Sequence, residues 1–222
     1  MNDRAKARQQ RAAAREKLML AALGHVPFDG WTMTALNAGA KDVDLPAGDV
    51  ARLFPGGPAD AIALFSAWAD ARMVEAMGAA DAAALRLHER VALGVRARLI
   101  ALAPHREAAR RAATYLALPP NAPLAARLLY RTIDAIWRAA GDRPTDFSYY
   151  TKRAILAGVY AATLLHWFDD RSENSASTWG FLDRRLADVG RLGAARERMS
   201  RIASQFPDPL GVLRRFAELR SR

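Results

Sequence analysis

Few residues in this chain have the types and spacing that catalysis needs. The four histidines are His25, His88, His105 and His166, and none follows an Asp or Glu by three residues. The Glu-x-x-His pairing that holds two irons inside a helical bundle is therefore missing. With no cysteine, disulfides, thiolate nucleophiles and cysteine metal sites are excluded. The sequence carries no G-x-G-x-x-G, no phosphate loop and no nucleophile elbow. Asp134, Asp142, Asp146, Asp169 and Asp170 mostly fall at expected helix ends, where capping and surface ion pairs account for them. The chain does not read as an enzyme, and neither a metal nor a chemical cofactor is expected.

What remains is the chemistry of recognition. The stretch 134–153, DAIWRAAGDRPTDFSYYTKR, is dense in aromatics and paired charges. Asp134 and Trp137 are three apart and Asp134 and Arg138 four apart, so all three share one helix face. An exposed Trp beside charges has the composition of a binding hot spot. The alternative is a Trp that packs against Tyr150 and caps the core. Lys152 and Arg153 either extend this surface or pair with Asp142 and Asp146.

Residues 154–168 are uncharged and apolar on nearly every face. Ile155, Val159, Ala162 and Leu165 form one stripe, and Leu156, Tyr160, Thr163 and Trp167 another. Such a helix belongs at the centre of a bundle. At 15 residues it falls short of the roughly 20 that cross a bilayer. Its Ala and Gly content leaves room beside it, for a cavity or for closely packed neighbours. Near the C-terminus, Met199, Ile202 and Phe206 share a face, followed by Leu210, Leu213 and Phe216, with Arg around them. That composition suits a helix lying in a membrane interface, or one docked on its own bundle.

The elements that must position these residues are all helical. Alanine supplies much of the 51% apolar fraction, which favours helix. Proline, glycine and capping residues mark helices over about 4–23, 32–38, 46–53, 58–78, 81–103, 106–118, 123–140, 146–168 and 177–192, then a helical tail. Gly39 is expected near the end of the second, and residues 26–30 are expected to form a turn. The first three have the long–short–short spacing of a helix-turn-helix. Residues 1–55 read as that subdomain, 56–192 as a ligand and dimerisation domain, and 193–222 as an amphipathic C-terminal helix.

The net charge of +10 attracts phosphates, on nucleic acid or on anionic lipid. The reading helix is poor for DNA. It begins Pro46, Ala47, Gly48, Asp49, where base readout wants Arg, Lys, Asn or Gln. No sequence-specific DNA binding is expected. The runner-up reading is nevertheless a repressor with a lipid effector.

Residues 18–192 resemble a known family, the TetR-fold, lipid-binding accessory proteins of ubiquinone (coenzyme Q) biosynthesis, the ninth COQ protein. The resemblance rests on Leu53-Phe-Pro-Gly-Gly57, Asp134-Ala-Ile-Trp137, Ala139-Ala-Gly-Asp142, Tyr150-Thr-Lys-Arg153, Thr178-Trp179 and Phe181-Leu-Asp-Arg-Arg185. The sequence departs from the family at Pro144, Ser148-Tyr149 and Arg138. The resemblance implies an all-α homodimer that binds an isoprenoid, quinone-precursor or phospholipid. The implied pocket is placed at Ile133, Ile155, Val159, Ala162 and Leu165. It also implies a face of Asp134, Trp137, Arg138, Asp142, Lys152 and Arg153 that docks a di-iron or other hydroxylase of the quinone pathway. The location implied is the cytoplasm, peripherally on the inner membrane, with the tail residues Met199 to Phe216 touching the membrane surface.

Overall fold

The computed structural model describes residues 3–80, 84–142 and 148–203, and these are helical without a strand. Helix α1 (Asp3–Ala22) packs on α3 (Met33–Asp42), with a four-residue α2 (Val26–Asp29) between them. Helix α4 (Ala47–Leu53) completes the helix-turn-helix arrangement. The bundle follows as α5 (Pro58–Ala79), α6 (Leu87–Leu102), α7 (Arg106–Ala117), α8 (Ala122–Ala139), α9 (Ser148–Asp169) and α10 (Ala176–Ala203).

Thr32 caps α3 by accepting a hydrogen bond from the amide of Ala35. Gly39 does not end that helix; α3 runs on to Asp42. Its missing side chain lets α1 come close, since a Cβ there would sit 2.7 Å from Cα of Ala22. Residues 26–30 hold a short helix rather than a bare turn, with Pro27 in its first turn. Helix α6 begins at Leu87, where Glu89 accepts from the amide of Arg86. Helix α10 runs without a break past residue 192, where a separate tail was expected.

Trp31 fastens the first subdomain to the bundle. Its indole donates to the carbonyl of Ala108 on α7 at 3.0 Å, and its ring lies 5.5 Å from that of Phe65 on α5. At the α9–α10 corner, buried Asp170 accepts from the amide and hydroxyl of Ser172 (2.8 and 2.5 Å) and of Thr178 (2.8 and 2.5 Å). Burial alone would raise its pKa; the four donors outweigh that and hold the carboxyl well below the usual carboxylate range. Among the described residues no helix is long and apolar enough to cross a membrane. Of the expected membrane face, the side chains of Met199 and Ile202 and all of Phe206, Leu210, Leu213 and Phe216 lie outside the described residues.

Candidate functional site

Between α5, α6, α7, α8 and α9 the bundle leaves a partly open cavity of about 140 Å³. Helix α9 turns Tyr160 and Leu164 toward it. The stripe Ile155, Val159, Ala162, Leu165 does not line it. Ile155 and Leu165 are 42% and 63% exposed, while Val159 and Ile133 are buried elsewhere in the core. The inward face is the other stripe, Leu156, Tyr160, Thr163 and Trp167, all buried. A helix apolar all round has no polar face to tell the two apart, so the sequence left the choice open.

One end of the cavity is polar. Arg98, 5% exposed, donates from Nε to Asp70 Oδ1 at 2.7 Å, from Nη2 to Ser66 Oγ at 3.0 Å, and from Nη1 to the Tyr160 hydroxyl. Thr132 donates to Asp70 at 2.9 Å. Desolvation opposes the Arg98 charge, but the Asp70 carboxylate and the hydrogen bonds to Asp70 and Tyr160 outweigh it and the net shift is upward, so the guanidinium stays protonated. Burial pushes the Tyr160 phenol up, keeping it neutral. Sequence reasoning missed this group. Its signal was present: Arg98 continues the buried spacing Val91, Val95, Leu102 of α6, where a charge has no solvent to face.

The second feature is the corner where α8 gives way to α9. Gly141, at φ +83°, ends α8; its amide donates to Arg138 and that of Asp142 to Trp137, the paired bonds of a Schellman turn. Asp134 is not an exposed docking acid. Its side chain is 11% exposed and accepts from Arg153 Nε (3.1 Å) and Nη2 (2.8 Å) and from Arg138 Nη2 (2.7 Å). Arg153 is itself buried and lies 3.4 Å over the Tyr149 ring. Trp137 is half-buried and packs against the core, with Lys152 Nζ 5.9 Å above its ring. Lys152 also reaches Asp142 at 3.3 Å. Asp146 lies outside the described residues.

The structure thus brings all six expected partner residues into one corner but turns the side chains of three of them, Asp134, Asp142 and Arg153, inward. The physical reason is the i, i+4 partner on one side and an Arg from α9 on the other: a carboxylate with three guanidinium bonds is held at the helix interface. What faces outward is Arg138 and Tyr150, each 76% exposed, and Tyr130 at 49%. With Val74 of α5 and Ala135 of α8, Tyr130 and Arg138 line an open groove beside the corner.

A helix-turn-helix subdomain followed by a helical bundle with an internal cavity defines the TetR-like class of folds. A TetR transcriptional regulator from Nitrosomonas europaea superposes with a TM-score of 0.64 at 23% identity, over 79% of this chain and 97% of that one. Within that class the chain belongs to the COQ9 family, whose sequence pattern matches residues 122–193, spanning α8, α9 and the first part of α10. The rat ubiquinone biosynthesis protein COQ9, mitochondrial, is 34% identical over 80% of this chain and 59% of its own length. Its human counterpart is 33% identical over 80% and 58%. The chain spans about three fifths of the length of these curated relatives.

Proposed function

We propose that this protein is a non-catalytic accessory factor of ubiquinone biosynthesis that binds an isoprenoid or quinone-precursor lipid and presents it to a partner hydroxylase. The observation that carries the lipid half is the cavity, aliphatic over most of its wall, in a chain related to proteins named for ubiquinone biosynthesis. The partner half rests on the α8–α9 corner, where Arg138, Tyr150 and Tyr130 offer the aromatic and Arg surface that hot spots favour. The exposed apolar face of α9, with Ile155 and Leu165, is where we place a second copy of the chain, giving the homodimer. Association with the inner membrane would bring the cavity to its lipid.

A repressor is the weaker reading. The side chain of Arg52, the one base-reading group on α4, is held by Asp49 at 2.9 Å. The experiment is lipid extraction and mass spectrometry of the purified chain and of Ala113→Trp, which plugs the half-buried α7 wall of the cavity. Lipid should accompany the wild type and be lost from the variant while helicity is kept. Apo protein in both, even after incubation with isoprenoid quinones, refutes the lipid reading.

A further inference from the structure

The polar end of the cavity has a definite hydrogen-bonding sense. The guanidinium of Arg98 has five N–H groups and spends three on Asp70, Tyr160 and Ser66. Because the Tyr160 and Ser66 oxygens accept from Arg98, each hydroxyl still has its own proton to give. Among the described residues neither proton has an acceptor. Thr132 has already given its proton to Asp70. The end of the cavity is therefore rich in donors and asks for an acceptor oxygen.

Charge narrows the choice. Asp70 neutralises Arg98 across 2.7 Å, and the Tyr160 phenol is neutral, so the group as a whole has no net charge to offer an anion. A carboxylate or phosphate would lose its hydration with no unpaired cation in return. A ketone or quinone oxygen loses far less and meets the donors directly. Size narrows it further. An apolar cavity of about 150 Å³ takes one benzene molecule in another protein, and this one measures about 140 Å³. Of the donors, Arg98 and Tyr160 sit deep, at most 5% exposed beside buried Thr132, and Ser66 is half-buried. The half-buried Ala113, Leu116, Ala125, Leu129 and Leu164 form the opposite, outer wall between α7, α8 and α9.

We propose that the Arg98–Tyr160–Ser66 end of this cavity reads a neutral carbonyl oxygen on a single ring-sized group, whose substituent leaves between α7, α8 and α9. The proposal rests on the lipid-binding reading and assigns which end of the ligand goes in first.

Two probes of one shape separate the polar contact from the fit: cyclohexanone, and methylenecyclohexane, which carries CH₂ in place of the oxygen. Binding of each to the full chain is followed by calorimetry, with the ¹³C shift of labelled cyclohexanone as a direct report on its carbonyl. Tyr160→Phe should weaken the ketone about tenfold, the equivalent of one hydrogen bond, and leave the alkene unchanged. The carbonyl shift should move downfield in the wild type and less in the variant. Ser66→Ala, at a half-buried position, should act in the same direction and serves if Tyr160→Phe does not fold. Equal losses for both probes, or a ketone indifferent to both substitutions, overturn the carbonyl assignment while leaving the cavity a ligand site. Failure of both probes to bind the wild type defeats the cavity reading as well.

Discussion

Asp134→Ala should be a folding mutation before it is a binding mutation. The carboxylate accepts two bonds from Arg153 and one from Arg138. These two arginines sit in different surroundings: the Arg153 side chain is 6% exposed and the Arg138 side chain 76%. Removing the carboxylate leaves the Arg153 guanidinium buried without its counter-ion, which costs about 3–5 kcal/mol. Removing Arg138 breaks a largely solvated pair worth about 1 kcal/mol or less. For a domain of this size, about 2–4 °C of Tm per kcal/mol gives a fall of roughly 6–20 °C for Asp134→Ala and about 4 °C at most for Arg138→Ala. Arg153→Met should restore part of the loss when combined with Asp134→Ala, because the stranded charge is then gone. Calorimetric melting of the four proteins, with hydroxylase capture on the same samples, makes the test. If Asp134→Ala melts within about 2 °C of wild type while capture is abolished, Asp134 is an exposed docking acid and its place as a buried hub is wrong.

Asp170→Asn should cost about 1.5–3 kcal/mol at neutral pH, the worth of hydrogen bonds to a charged group. Because the folded carboxyl titrates below its unfolded value of about 4, that advantage is full above pH ~4 and drains as pH falls through the lower folded value. Urea unfolding at pH 7 and in acid should show the two proteins converging. Gly39→Val should destabilise by about 1–3 kcal/mol, since its Cβ meets the Ala22 backbone rather than a movable side chain; a variant that melts at the wild-type temperature removes the close α1–α3 crossing. Leu165→Asp should convert the proposed dimer to a monomer in light scattering without lowering helicity, given that residue's 63% exposure; a wild type that is already monomeric, or a variant of unchanged dimeric mass, removes the second copy from α9.

The helices were legible because their punctuation is local. Pro58, Pro104, Pro123 and Gly141 act through φ and the missing amide, and the elements begin or end beside them as read. Gly39 misled for the same reason: a glycine that ends a helix and a glycine that admits a neighbour look alike until the neighbour is placed. Membership of the α8–α9 corner was legible too, from i, i+4 spacing and the density of charge. The direction each side chain takes there was not. Asp134 and Arg153 are 19 residues apart, and only the return of α9 along α8 shows that one neutralises the other. Likewise Arg98 and Asp70 lie on different helices, and each alone reads as a surface charge.

A cavity of about 140 Å³ has a further consequence for a long-chain ligand. On the proposed lipid reading it would hold one end and leave the remaining chain outside. The free length would then stay in the bilayer, where each methylene adds about 0.8 kcal/mol to its hold. Grip by the protein is then independent of chain length, while grip by the membrane grows with it. A protein that held its ligand this way would work as a hook and not a ferry: the longer the tail of the ligand, the more firmly it would moor the protein to the membrane.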